Sequence, residues 1–261
     1  MEPSRLAQPR RSALLEKYAP LLDEANLTWL SSAEAYHRSG HINEPLLDVI
    51  VRACHLFEIS QRRSAYLYVK TIGEWVVSGL LLLLVSPFIA LIAILIKLGS
   101  PGPVFYRQLR IGRGMKPFFI VKFRTMFSGA ERNIPFVNNN ARGGIFKVKK
   151  DPRITPVGFF LRRWSLDELP QLWNIVKGEM ALVGPRPLPC YDSATAPSQS
   201  YVRYAVRPGL TGLWQVDARS EMDGRAMFAL DTEYIKKFGP ALDFRILLKT
   251  VKVVLQGDGS V

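Results

Sequence analysis

From Val76 to Ile96 the chain runs 21 residues without a charge, between Glu74 and Lys97. As a helix such a stretch covers roughly 30 Å, the thickness of the hydrocarbon core of a bilayer. Soluble core helices are rarely apolar all the way round, so this run is predicted to enter a membrane. Ser86-Pro87 falls at its midpoint. Proline removes a backbone hydrogen bond and clashes with the preceding turn, and Ser86 can bond the carbonyls that are freed. A kinked helix crossing the bilayer would tolerate this as well. The flanks favour a different path. Arg62, Arg63 and Lys70 precede the run, and Lys97, Arg107, Arg110, Arg113 and Lys116 follow it. Basic flanks stay in the cytoplasm, and here both flanks are basic. The expectation is a re-entrant helix-break-helix over residues 67–98 that enters and leaves by one face.

Charge divides the chain at the same place. Through Tyr66 there are eight Lys/Arg and eight Asp/Glu; beyond it there are 27 and 14, so the whole net charge of +13 lies there. A basic excess confined to one region points to an anionic partner: lipid headgroups, phosphorylated substrates or nucleic acid. Cys54 and Cys190 have no disulfide or zinc spacing, which fits a reducing compartment. Met1 to Arg11 leads into no apolar run, so no cleavable secretory signal is expected.

Three regions follow. Residues 1–66 read as a helical extension, with Leu14, Leu15 and Tyr18, then Leu46, Leu47 and Ile50, at helical spacing. His37 and His41 have the spacing of a helical metal pair, but no third ligand accompanies them. Residues 67–98 form the membrane element. Residues 99–261 form the basic, chemistry-bearing part. There, Ser100-Pro-Gly-Pro103 ends the membrane helix, and Val104 to Ile111 and Phe118 to Arg124 make a β-hairpin around Gly112-Arg-Gly-Met115. A helix is predicted from Ser165 to about Val176, stopped by Gly178. Leu242 to Leu255 is amphipathic, with Arg245, Lys249 and Lys252 on its polar side; it suits an anionic lipid surface and a core helix equally. The fold class is α+β, mainly α-helical, with a small hairpin and interfacial amphipathic helices.

Absences narrow the chemistry. All three histidines lie in the first region, which disfavours Ser-His-Asp and Cys-His mechanisms. No P-loop is present, and Gly112-x-Gly114 lacks the setting of a dinucleotide site. What remains is a carboxylate pair among arginines, Asp167 and Glu168 in Ser165-Leu-Asp-Glu-Leu-Pro-Gln171. Ser165 and Glu168 have capping-box spacing, which would make the pair structural. The same geometry allows a functional reading, because a helix N-terminus attracts phosphate and an ionised Asp is a competent phosphorus nucleophile. Arg162, Arg163 and Arg186 offer planar forks of donors to phosphate oxygens.

Six segments occur in order: Gly102-Pro-Val-Phe-Tyr-Arg-Gln108, Lys122-Phe-Arg-Thr-Met126, Asp151-Pro-Arg-Ile-Thr155, Ser165-Leu-Asp-Glu-Leu-Pro-Gln-Leu172, Val183-Gly-Pro-Arg-Pro187 and Pro208-Gly-Leu-Thr-Gly-Leu-Trp-Gln215. Together, over about Lys70 to Leu255, they resemble the bacterial sugar transferases, monotopic phosphoglycosyl transferases acting on polyprenyl phosphate. The resemblance implies a helix break at Ser86-Pro87, a catalytic dyad at Asp167 and Glu168, and Mg²⁺ at Asp167. It implies phosphate-binding arginines at Arg162, Arg186 and Arg219, with Lys122 and Arg124 in a motif close to the site. Glu74 stands where an Asp is usual, Glu179 and Ala181 replace an Asp and a Ser, and Asp217-Ala-Arg219 replaces a Gly-Arg pair. The implied partners are a UDP-sugar, polyprenyl (undecaprenyl) phosphate and the bilayer of the bacterial inner membrane, with the catalytic part facing the cytoplasm. No nucleic acid is implied, and a homo-oligomer is compatible with the pattern. Gly144-Ile-Phe-Lys147 leans toward a hexose donor. The competing class is a non-enzymatic basic scaffold that holds anionic lipid or nucleic acid at the membrane.

Overall fold

In the computed structural model the described residues are 64–130, 151–189, 198–217 and 224–257. The N-terminal extension with His37 and His41, the Gly144–Lys147 segment and Arg219 lie outside them.

The uncharged run becomes part of one helix, α1 (Ser64–Gly99), 36 residues and about 54 Å long. It continues through Pro87, and Ser86 Oγ donates to the Leu83 carbonyl at 2.8 Å, one turn back. Among the described residues it is the one helix long and apolar enough to cross a membrane. Its burial repeats along the whole length. Glu74, Ser78, Ile92 and Ile96 are buried, with Leu82, Val85 and Ile89 half-buried between them, while Leu80, Leu83, Leu84, Phe88, Leu91 and Leu98 are exposed. The spacing of three and four residues marks one face of a helix. That face packs on the rest of the protein, and the remaining surface is apolar and uncovered.

The predicted hairpin is present as β1 (Phe105–Ile111) and β2 (Pro117–Phe123), antiparallel with Phe105 opposite Phe123 and Ile111 opposite Pro117. A short strand β4 (Leu188–Pro189) adds to the far edge of β1, giving the order β2-β1-β4. Alternation places Phe118, Ile120 and Lys122 on one face of β2. The two apolar members join Leu172, Ile175 and Met180 in a core that Leu82 and Val85 of α1 close. A second cluster joins Ile92 and Ile96 of α1 to Phe123 and Leu161. Fully burying one such aliphatic side chain contributes about 1.5–3 kcal/mol, so these contacts fix α1 firmly against the hairpin.

Helix α2 (Pro156–Arg163) starts with Thr155 as N-cap, its hydroxyl accepting from Gly158 N at 2.9 Å, and with proline at the favoured first position. A tight 3₁₀ stretch (Leu166–Gln171) leads into α3 (Leu172–Val176), and Gly178 (φ 78°) ends it as expected. Next come β3 (Ala181–Val183) and β5 (Gly209–Thr211), a parallel pair. Gly184 is needed beside them, because a Cβ there would lie 2.5 Å from the Arg207 carbonyl oxygen. α4 (Leu213–Asp217), α5 (Gly224–Lys237) and α6 (Pro240–Gln256) complete the chain. The architecture is α+β and mostly helical, as expected from the sequence. α6 buries Asp243 and Ile246 and exposes Phe244, Leu248, Val251 and Leu255.

The expected helix start at Ser165 is corrected. Ser165 is left-handed (φ 55°, ψ 20°), no side-chain cap bond forms there, and a 3₁₀ turn rather than an α-turn follows. No capping box exists, because the Glu168 carboxylate is drawn to Lys122 instead, at 2.7 Å.

Candidate active site

Lys122 ends the inward-facing row of β2, and the 3₁₀ turn carrying Asp167 and Glu168 crosses that strand's face. The Lys122 ammonium meets Glu168 Oε1 at 2.7 Å, and Arg186 Nη1 lies 3.6 Å from the same oxygen. Arg186 leaves β3 through the Gly184-Pro185 turn, its guanidinium 6.0 Å from the Trp214 ring centre. Arg162, from the last turn of α2, is held by an Nε bond to Thr125 Oγ1 of 2.8 Å and faces the same carboxylates. Five residues separated by up to 64 positions in sequence thus meet at one place: Lys122, Arg162, Asp167, Glu168 and Arg186.

Within that ring Asp167 is the exception. Among the described residues it makes no hydrogen bond and no ion-pair contact. Desolvation by burial raises its pKa above the ordinary carboxylate value; Lys122, Arg162 and Arg186 oppose that and Glu168 adds to it. Burial likewise lowers the pKa of Lys122, against the pull of Glu168. An uncommitted carboxylate held among three cations is a reactive oxygen with anion-binding groups around it. The turn that presents it is strained, since left-handed backbone at a residue other than glycine costs of order 1–3 kcal/mol and gathers at functional sites.

The structure does not bring every candidate to this place. Arg124 is buried and points away: its guanidinium donates to the Ser100 carbonyl and hydroxyl at 2.7 and 3.0 Å, to Ser128 Oγ at 2.9 Å and to the Pro101 carbonyl. It braces the chain where it leaves α1. Arg163 is exposed, with its guanidinium 6.0 Å from the Trp164 ring centre.

Two contributors were missed by sequence reasoning. Arg203, buried, donates to the Arg186 carbonyl and pairs with buried Asp231 at 2.8 Å. This pair backs the arginine that faces the carboxylates; burial pushes the Asp231 pKa up to about 6, and Arg203 and Arg186 pull it down. Glu74 is the other. It accepts from the backbone of Leu182 (3.0 Å) and Val183 (3.3 Å), fastening α1 to the strand that launches Arg186. An isolated Arg or Asp gives no sequence signal of such use, and the one sign at Glu74 is that it stands where an Asp is usual.

Known proteins resemble this chain over the residues that build the cluster. The family described as "Bacterial sugar transferase" matches residues 65–257. An exopolysaccharide production protein ExoY of Rhizobium meliloti is 43% identical over 190 residues, 69% of this chain and 82% of that protein. A UDP-glucose:undecaprenyl-phosphate glucose-1-phosphate transferase of Caulobacter vibrioides is 41% identical over 202 residues, 73% of this chain and 71% of that protein. An undecaprenyl-phosphate galactose phosphotransferase of Salmonella typhimurium is 38% identical over 208 residues, covering 77% of this chain and 43% of that protein. The match spans α1, the hairpin and the carboxylate cluster together, and this chain belongs to the bacterial sugar transferase family.

Proposed function

We propose that this chain transfers a sugar 1-phosphate, from a UDP-hexose, to undecaprenyl phosphate, with release of UMP. This is the priming step of exopolysaccharide or glycoconjugate assembly. The observation that carries the reading is the unengaged Asp167 carboxylate among Lys122, Arg162 and Arg186, in a domain fastened to an apolar helix. Asp167 attacks the β-phosphorus, the bond from that phosphorus to the bridging oxygen breaks, and UMP departs with the electron pair. A phosphate oxygen of the polyprenyl acceptor then displaces Asp167 from phosphorus, and Glu168, positioned by Lys122, takes the acceptor's proton. Arg162 and Arg186 hold the phosphate oxygens as charge shifts between them. A hard cation fits here. Among the described residues no group of three or more metal-binding side chains exists, and Mg²⁺ is commonly held by one or two carboxylates plus substrate phosphates and water. Asp167 would hold the ion, which neutralises diphosphate charge when bound. A non-enzymatic scaffold would need the basic surface and the apolar helix, but not a desolvated carboxylate.

The reaction is tested by mixing enzyme with UDP-glucose or UDP-galactose alone. A burst of at most one UMP per site, and a gain of one sugar phosphate on the peptide containing Asp167, are expected. Acceptor-dependent turnover without that adduct would reject the covalent route and leave direct transfer.

We further propose that α1 is re-entrant at the cytoplasmic face of the inner membrane. Both of its ends touch the same globular body: Glu74 reaches β3, while Lys97 donates to the Gly102 carbonyl at 2.9 Å and Gly99 abuts Val157. A helix carried straight across a bilayer would draw one of these contacts away from the aqueous side. Single cysteines near Arg62 and near Arg113, in a protein lacking Cys54 and Cys190, should both resist an impermeant thiol reagent on intact cells. Labelling of one alone would establish a spanning helix.

A further inference from the structure

Arg186 sits on the link between the two sheets: β3 runs into Gly184-Pro185-Arg186-Pro187, and β4 follows at once. Every residue of that link is buried except Arg186, whose side chain is 26% exposed. Proline fixes φ at positions 185 and 187 and biases the residues before them, Gly184 and Arg186, toward extended backbone. Three successive carbonyls of the link are held, each by a different element. The Pro185 carbonyl accepts from Gly209 N at 2.9 Å, the Arg186 carbonyl from the Arg203 guanidinium, and the Pro187 carbonyl from Arg110 Nη1 at 2.8 Å. Arg110 comes from β1, where it lies opposite Pro189, and Arg203 from the 3₁₀ stretch Ser198–Ala205. Drawing guanidinium groups out of water is a costly way to tie a link that two prolines already restrain.

We propose that Arg110 and Arg203 are positioning residues for Arg186: they hold the two peptides that follow it, so its guanidinium is set for the donor's diphosphate before the donor arrives. The assignment rests on the UDP-sugar reading above. A donor group fixed in advance loses little freedom on binding and meets growing negative charge without reorganising. Asp231 lets Arg203 do this from inside the core. The two pair at 2.8 Å with side chains 2% and 3% exposed, so the Arg203 charge is answered locally and its effect passes through the Arg186 carbonyl. Arg110 grips the next carbonyl from the opposite sheet and also reaches Gln108 Oε1 on its own strand. Between these two grips the backbone has no room to swing, and the Trp214 ring, 6.0 Å from the Arg186 guanidinium, bounds the side chain.

The test uses the full chain in lipid nanodiscs. It measures kcat/KM for UDP-glucose and UDP-galactose with undecaprenyl phosphate, and binding of inorganic pyrophosphate with Mg²⁺. Two variants are made in wild type and again in Arg186→Gln. One is Arg110→Met. The other joins Arg203→Met to Asp231→Leu, exchanging a buried ion pair for apolar side chains of similar volume, which folded proteins commonly tolerate. In the wild-type background each should lower kcat/KM and pyrophosphate affinity by about fivefold or more. In the Arg186→Gln background each should cost less than about twofold, because the group they position is gone. A general loss of structure, or a direct pull of the Arg110 charge on the diphosphate, would give the same factor in both backgrounds. Equal losses in both backgrounds, or no loss in a folded variant, would overturn the assignment. If one variant does not fold, the other decides. Pyrophosphate binding that follows this pattern, in a protein that releases no UMP from any UDP-sugar, would reject the transferase reading and keep the positioning role. Normal UMP release with additive losses would reject the positioning role alone.

Discussion

Among the described residues, two of the clusters of buried charge are assembled on opposite plans. Where α1 meets the domain, Lys70 pairs with Glu74 (2.9 Å) and Asp243, and Arg207 reaches Glu74 (3.5 Å) and Thr71 Oγ1 (2.6 Å). Tyr66 and Tyr234 complete the Asp243 carboxylate at 2.7 and 2.9 Å. Two cations face two carboxylates, and each carboxylate oxygen has a partner. Around Asp167, three cations face two carboxylates, and one carboxylate has no contact. A balanced, saturated network is a joint. An unbalanced one with spare capacity is prepared for a ligand, here one that brings negative charge.

The sharpest way to break the contrast is to exchange the consequences of mutation. Asp167→Asn removes the charge proposed to attack phosphorus, with almost no change in shape. UMP release should fall by several orders of magnitude, while the denaturation midpoint shifts by the equivalent of less than about 1 kcal/mol. Loss of fold in this variant would make Asp167 structural and erase the distinction. Glu74→Ala does the reverse. It leaves Arg207 with no carboxylate, Lys70 with Asp243 alone and two backbone donors without their acceptor, so stability should drop by about 3–5 kcal/mol. Turnover per folded molecule should stay within a few-fold, when measured against active-site burst amplitude. A stable Glu74→Ala protein with no activity would show that the joint belongs to the chemistry.

Arg186→Gln lies between these extremes. It removes the phosphate contact proposed for this guanidinium; a charge-assisted bond is worth about 1.5–3 kcal/mol, so kcat/KM for UDP-sugar should fall roughly 10- to 150-fold. The smallest effect is in pH. Because burial holds the Asp167 pKa above the ordinary carboxylate value, the folded protein keeps a proton that the unfolded chain has lost. Stability should therefore decline as pH rises from the ordinary value through the raised one, while turnover rises with the ionised form. Asp167→Asn should abolish this part of the pH dependence. Parallel curves for wild type and variant would place the titrating group elsewhere.

Elements specified by neighbouring residues were legible in the sequence. The hairpin was set by alternation around Gly112 and Gly114, and α6 by a stripe repeating every three to four residues. The turn at Ser165 was misread, because a local capping box competes with a partner 46 positions away and loses to the Lys122 ammonium. Arg124 shares a motif with Lys122 and would share its face if β2 continued, but the strand ends at Phe123 and Arg124 turns toward Ser100. The strands β3, β4 and β5, two or three residues each, are too short to show a period. Arg203 and Asp231 read as surface charges, because nothing near either names the other.

The Glu74 joint also sets a timetable for biosynthesis. Its backbone partners, Leu182 and Val183, lie 108 and 109 positions downstream. At about 5–20 residues per second a ribosome needs roughly 4–17 s to reach them after α1 has been made. Through that interval the nascent helix waits with an uncapped carboxylate two residues ahead of its uncharged run. A headgroup-level position, where water can solvate Glu74 while the leucines enter the acyl chains, is the one that lets the half-made protein wait without loss. The joint closes only once β3 has emerged, so the helix must settle before the cluster around Asp167 exists.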